Sequence, residues 1–213
     1  MSIQDVIESR HIEEVVHFTW HRGLLGALHS GFVKSRQRLP NVKELAFIYK
    51  PNAQYRKDVQ WLDYVNLSIT RINYEFFGHS CRWRRDEDLW WCVLSFDPVI
   101  ATHPGVWFTT TNNIYPATRR GTGEVGLRQL IAEQVLGRYS AVTWRTEQMP
   151  SQFTTCEQAE VLYPRELSLE FLRKIYVSTG DDHDEVKAQL AALRWRPVPV
   201  IIAPERLGGY TEE

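Results

Sequence analysis

Strand-like segments crowd the middle of this 213-residue chain, and short helical stretches are scattered between them without regular alternation. That order argues against a βαβ repeat with its parallel sheet and predicts an α+β fold, with mixed central β-sheets and surrounding helices. Asp88–Phe96 (DLWWCVLSF) is rich in aromatic and β-branched residues and reads as a buried strand. Glu13–Thr19 (EEVVHFT), part of Val59–Ser68, Val106–Thr111, Thr155–Leu162, Lys174–Val177 and Val198–Ala203 read as further strands. Pro199 argues for an edge position for the last. Arg22–His29 has helical spacing and stops at Gly31. Leu127–Leu136 puts Leu127, Leu130, Ile131 and Val135 on one helical face. Asp182–Leu193 is a helix with acids at its start, where the helix dipole favours them. No repeat, low-complexity segment or linker divides the chain, so one domain over residues 1–213 is expected.

Composition narrows the function classes. The net charge is −1, so no overall basic field announces a nucleic-acid partner, and any such binding must rest on local patches. The eight Trp residues offer stacking surface as well as core. Three cysteines, Cys81, Cys92 and Cys156, form no CxxC and no even-numbered framework, which fits a reducing cytoplasm. The N-terminal MSIQDVIESR lacks an apolar signal core, and no apolar run approaches the ~20 residues of a membrane span. The spacing of His79, Cys81 and Cys92 does not suit zinc. Arg120-Gly121-Thr122-Gly123 lacks the Gly-Lys-Ser/Thr end of a phosphate loop.

Three short elements could carry chemistry. Gln158-Ala159-Glu160, read on a strand, would point Gln158 and Glu160 to one side. A carboxylate beside an amide can hold a sugar hydroxyl and orient a nucleophile. His17-Phe18-Thr19 likewise would put an imidazole and a hydroxyl on one face, suited to a ribose or a carboxamide. Arg71 follows the strand-like Asp63–Thr70, where a guanidinium can bind a diphosphate through paired hydrogen bonds. Taken alone, Gln-x-Glu is more often a solvated strand face and His-x-Thr a satisfied histidine beside a surface Thr, and Arg71 also reads as a surface arginine lying over apolar neighbours.

Their order and spacing change the weighing. His-x-Thr near the start, an Arg after an early strand and Gln-x-Glu late in the chain resemble the DarT family of DNA ADP-ribosyltransferases. The short helix over Trp20–Gly31, the stretch Val106–Asn113 (VWFTTTNN) and the closing strand, acidic helix and strand extend the resemblance over residues 10–203. The resemblance implies an ADP-ribosyltransferase-like fold and NAD as substrate, with no metal. It implies catalysis by Glu160, with Gln158 orienting the base. His17 and Thr19 would hold the nicotinamide-side ribose and carboxamide, and Arg71 the diphosphate. It also implies a bacterial toxin acting on single-stranded DNA and countered by a macrodomain antitoxin of the DarG type. One departure stands out. Many members carry a Tyr-Phe-x-Pro-Arg-Ser-Pro-like segment around the Arg, whereas this chain reads Leu67-Ser68-Ile69-Thr70-Arg71-Ile72-Asn73. That leans the expected target from thymine toward guanine.

For the DNA, the expected surfaces are Thr146–Thr155, where Phe153 could stack on a base, and the basic-aromatic run Arg82, Trp83 and Arg84, with Arg119 and Arg120 adding charge. Asp86, Glu87 and Asp88 follow that run, so it equally describes a charged surface turn. Two alternatives stay open: an ADP-ribosyltransferase acting on RNA or protein, and a non-catalytic nucleic-acid-binding protein. Nicotinamide release from NAD, with and without single-stranded DNA, discriminates the second.

Overall fold

The computed structural model describes residues 2–39, 59–83 and 89–208. After helix α1 (Ile3–Ser9) the chain enters strand β1 (Val15–Trp20), then helix α2 (His21–Ser30) and strand β2 (Phe32–Lys34). α2 stops where expected, at Gly31 in the left-handed conformation (φ 80°), with the Gly31 N–H closing on the Ala27 carbonyl. Strand β3 (Tyr64–Ile69) is followed by helix α3 (Tyr74–Arg82), and then by β4 (Trp91–Phe96), β5 (Trp107–Thr109) and β6 (Arg120–Thr122). Helix α4 (Gly123–Gln129) leads to a hairpin, β7 (Gln134–Leu136) and β8 (Val142–Trp144). The chain closes with β9 (Glu160–Pro164), β10 (Glu166–Ser168), β11 (Leu172–Val177), helix α5 (Gly180–Ala192) and β12 (Val200–Ile202).

Eight strands form one mixed sheet in the order β12-β11-β4-β1-β3-β9-β5-β6. β12 is at the edge, as Pro199 requires. Alternate residues on the central strands feed two cores on opposite faces. Val15, Cys92, Leu94, Ile175 and Val177 join the larger one. Val16, Val93 and Tyr176 join the smaller one with Ile72, Phe77 and Leu207.

Two expected elements differ. The helix over Leu127–Leu136 ends at Gln129, and the chain turns into β7. Leu127, Leu130, Ile131 and Val135 are all buried, so the apolar spacing marked burial correctly. Its conformation was decided elsewhere. Thr155 takes the Leu130 carbonyl with its N–H (2.8 Å) and the Ala132 carbonyl with its hydroxyl (2.5 Å), the acceptors that a longer helix would need. The strand expected over Thr155–Leu162 begins only at Glu160. Thr154 Oγ1 and the Ala159 N–H both close on the Cys156 carbonyl, which curls residues 154–159 into turns.

Candidate active site

The sheet opens at its centre. β1 pairs with β4 over all six of its residues. Against β3 it forms two registered pairs, Val15 with Ile69 and Val16 with Ser68, and the ladder stops there. Where it stops, the His17 side chain takes over. Its Nδ1 donates to the Asn66 carbonyl at 2.9 Å. A carbonyl only accepts, so the proton is on Nδ1 and Nε2 keeps a lone pair. Burial pushes the His17 pKa down, against the smaller opposing effect of that hydrogen bond, which keeps the ring neutral. A neutral ring with an accepting Nε2 suits a hydroxyl or an amide N–H.

Asn66 also faces the other way. Its side-chain Nδ2 donates to Glu160 Oε1 at 2.9 Å. The other carboxylate oxygen, Oε2, accepts the backbone N–H of Asn113 at 2.7 Å. Glu160 is 8% exposed, at the first position of β9 and opposite Thr109 of β5. A carboxylate so buried needs donors, and it has one on each oxygen. Arg120 holds the Asn113 donor in place. Its Nε donates to Asn113 Oδ1 (2.7 Å) and its Nη2 to the Asn113 carbonyl (2.6 Å), with the guanidinium 5.6 Å from the Trp61 ring centre. Gly126 allows α4 to lie close on β6 next to Arg120, because a Cβ there would fall 2.5 Å from the Gly121 carbonyl carbon.

Thr19 follows His17 two places along β1, on the same face. Gly23 in α2 lies against it: a Cβ at position 23 would come within 2.2 Å of Thr19 Oγ1. Arg71 follows a residue with unusual backbone. Thr70 has φ 63°, a conformation that costs a β-branched residue on the order of 1–3 kcal/mol. The Arg71 guanidinium lies 4.5 Å from the centre of the Phe153 ring, and its buried Nε makes no hydrogen bond. That unsatisfied donor fits a phosphate oxygen.

A family model described as "ssDNA thymidine ADP-ribosyltransferase, DarT" matches residues 16–208. The chain belongs to the DarT family. It is accordingly an NAD-dependent ADP-ribosyltransferase of single-stranded DNA, as the order of its motifs implied. Three solved DarT structures share its fold. Thermus sp. 2.9 DarT in complex with carba-NAD+ matches with a TM-score of 0.62 at 15% identity, covering 92% of this chain and 97% of that one. The same protein in complex with ADP-ribosylated ssDNA gives 0.63 at 15% identity, over 92% and 96%. Thermosipho africanus DarTG in complex with ADP-ribose gives 0.59 at 14% identity, over 92% of this chain and 51% of that one. No curated protein matches the sequence.

Within this DarT chain, the sequence-expected residues fall into three groups. His17 and Glu160 are brought together through Asn66, and Arg71 follows five residues later on the same chain segment. Gln158 is not on the strand. It sits in the turn before β9, with its amide on Glu75 of α3, so the shared strand face expected of Gln158 and Glu160 is not formed. The turn is tied to α3 at a second point, where Glu157 accepts the Tyr74 N–H at 3.0 Å. Among the expected DNA contacts, Arg119 is exposed, Arg120 is turned onto Asn113, and Phe153 is covered on one face by Arg71. Arg82 and Trp83 end α3 on the surface, Arg82 bonded to His79, and Arg84 lies outside the described residues.

Sequence reasoning missed Asn66 and Asn113, and no spacing marks them. Each matters because a remote carboxylate reaches it. It also missed the hairpin β7–β8, which exposes Tyr139 (87%) and Trp144 (62%). Arg138 lies over the Tyr139 ring at 4.7 Å and approaches Glu75, the Gln158 partner, at 3.9 Å. Among the described residues no helix is long and apolar enough to cross a membrane, and no three His, Cys, Asp or Glu could hold a metal.

The Asn113 clamp gives a prediction that separates two readings of Arg120. Arg120→Ala frees the Asn113 turn and loosens the donor on Glu160 Oε2. With Glu160 as the catalytic carboxylate that the family resemblance implies, misplacing it by about 1 Å can cost ~10²-fold, so kcat is expected to fall ten-fold or more with the DNA KM little changed. A higher DNA KM at unchanged kcat would return Arg120 to the DNA surface. Steady-state kinetics with varied oligonucleotide reads the difference.

Proposed function

We propose that this chain moves ADP-ribose from NAD onto a base of single-stranded DNA with Glu160 as the catalytic carboxylate. The observation that carries the reading is Asn66, which joins His17 and Glu160 through its carbonyl and its amide. In the proposed pose His17 Nε2 and Thr19 Oγ1 meet the nicotinamide-side ribose and carboxamide, and Arg71 meets the diphosphate. The bond from the ribose C1 to nicotinamide breaks with its electron pair leaving on nicotinamide. The sugar becomes oxocarbenium-like, and the Glu160 charge offsets what develops there. A base nitrogen then bonds to C1 and gives its proton to Glu160. Nicotinamide departs unaided, so the proposed chemistry asks for no metal.

For the acceptor, we place thymidine first, following the description of the matched family. Guanine was the sequence expectation, but Gln158, expected to orient the base from a strand face shared with Glu160, lies in a turn with its amide on Glu75. Its remaining support is the segment around Arg71, which lacks the family's prolines. Tyr139 and Trp144 are suited to stack on bases, which are exposed only in single strands without the unstacking cost of a duplex. The biological reading is a bacterial toxin with a macrodomain antitoxin that removes the ADP-ribose. The Thermosipho africanus DarTG structure, in complex with ADP-ribose, is the neighbour that suggests it.

Mass spectrometry of four single-stranded oligonucleotides, each lacking one base, tests the acceptor. With NAD present, only the thymine-free strand is expected to stay unmodified. Modification of that strand, with the guanine-free strand untouched, would transfer the assignment to guanine. Modification of transfer RNA or protein alone would remove DNA from the proposal.

A further inference from the structure

The strained turn that presents Arg71 is braced by groups far away in sequence, and the bracing converges on a buried carboxylate that the proposed chemistry does not use. Glu14 is 4% exposed, just before β1. Its Oε2 accepts from Ser95 Oγ (2.5 Å) and Tyr176 Oη (3.0 Å), and its Oε1 pairs with Arg206 Nη2 (3.0 Å). Burial, with the Glu14 charge second, pushes the Tyr176 pKa up to about 12, so the phenol stays protonated and donates. Arg206 forks. Its Nη1 donates to the Thr70 carbonyl at 2.9 Å, while the guanidinium lies 4.8 Å from the Tyr176 ring centre. The Thr70 N–H closes on the Glu14 carbonyl at 3.1 Å, and the Thr70 hydroxyl donates to the Gln152 carbonyl at 3.2 Å.

A left-handed threonine persists only where its surroundings over-determine it. Here the N–H, carbonyl and hydroxyl of Thr70 are all bonded, from three separate parts of the chain. The residue that this turn aims is Arg71. We infer that Arg206 is a positioning residue for NAD binding: its fork between Glu14 and the Thr70 carbonyl holds the Thr70 turn so that the Arg71 guanidinium faces the diphosphate. The inference rests on the reading of Arg71 as the diphosphate ligand. A planar guanidinium is the side chain that can serve both acceptors at once, whereas lysine is a point charge that can stay with the carboxylate and leave the carbonyl.

The bracing also reaches the acceptor side. The Gln152 carbonyl held by Thr70 precedes Phe153, whose ring stacks with Arg71. Arg145 ties the same loop down by donating to the carbonyls of Phe153 (2.7 Å), Pro150 (2.8 Å) and Ser151 (3.2 Å). Arg145 supports Phe153 from the loop side, and Arg206 supports Arg71 from the sheet side. Loss of Arg206 therefore acts first on NAD.

The test compares Arg206→Met, Arg206→Lys and Arg71→Ala in the full chain. NAD affinity is read by calorimetry, turnover with NAD and oligonucleotide varied in turn, and thermal midpoints on the same samples. Arg206→Met is expected to raise the NAD Kd and KM roughly tenfold, about the effect of one misdirected charge-assisted hydrogen bond, with a smaller change in kcat. Arg206→Lys keeps a charge opposite Glu14 and is expected to melt near the wild type while still binding NAD more weakly. That split between stability and affinity is one that a merely structural arginine would not produce. If Arg206→Met does not fold, Arg206→Lys alone decides. Wild-type NAD affinity in the Arg206 variants, with Arg71→Ala weakened, overturns the role of Arg206. Wild-type affinity in Arg71→Ala overturns the diphosphate reading beneath it.

Discussion

Glu160→Gln is expected to cut ADP-ribose transfer by ~10²–10³-fold or more while the protein still folds and still binds NAD. The side chain keeps its shape and loses its charge, and the amide can neither offset the developing sugar cation nor take the base proton. Folding survives for a specific reason. The carboxylate accepts from Asn113 N–H on one oxygen and from Asn66 Nδ2 on the other. A glutamine can accept on only one side. The Asn66 amide also has a buried Oδ1 with no hydrogen-bond partner, so turning that amide over offers an acceptor to the new Gln N–H. The buried mismatch, worth ~1–3 kcal/mol if left open, is thereby relieved. Mass spectrometry of a modified oligonucleotide measures transfer, and calorimetry measures NAD binding in the same sample. Transfer at the wild-type rate would remove Glu160 from the chemistry.

Arg71→Ala is expected to weaken NAD binding by a factor of ~10 to 150. That range corresponds to the ~1.5–3 kcal/mol of a hydrogen bond to a charged group. The buried Arg71 Nε has no hydrogen-bond partner among the described residues, a deficit that a phosphate oxygen would fill. Removing the guanidinium also uncovers one face of Phe153. The oligonucleotide KM is therefore expected to change far less than the NAD KM, and in either direction. Unchanged NAD affinity by calorimetry would make Arg71 a packing residue for Phe153.

Much of the secondary structure could be read from local pattern because the pattern reports burial. β1, β3, β4, β5, β11 and β12 lie where apolar and β-branched runs predict them, and α2 and α5 start and stop close to their expected signals. The two failures share a cause. The Leu127–Val135 spacing and the apparent alternation over Thr155–Leu162 were undone by the same loop, in which Thr155 captures the Leu130 and Ala132 carbonyls. A residue so far along the chain is invisible to a local window, yet it decides which carbonyls remain for a helix.

The site divides in the same way. The sequence by itself determined which residue types stand where: His-x-Thr on the first strand, Arg71 after β3 and Glu160 late in the chain, an order specific enough to imply the family. What it could not determine is the environment of each group. Only the folded sheet brings Asn66 between His17 and Glu160, and only the turn after β5 delivers the Asn113 N–H to the carboxylate. Tertiary structure likewise bonded the exposed Arg120 to Asn113, took Gln158 off the strand and onto Glu75, and set Arg206 behind Thr70. The physical reason is the range of the forces. Propensity and hydrophobic period act within a few residues, whereas hydrogen bonds to buried charge are satisfied by whichever donor the fold brings within about 3 Å, however distant in sequence.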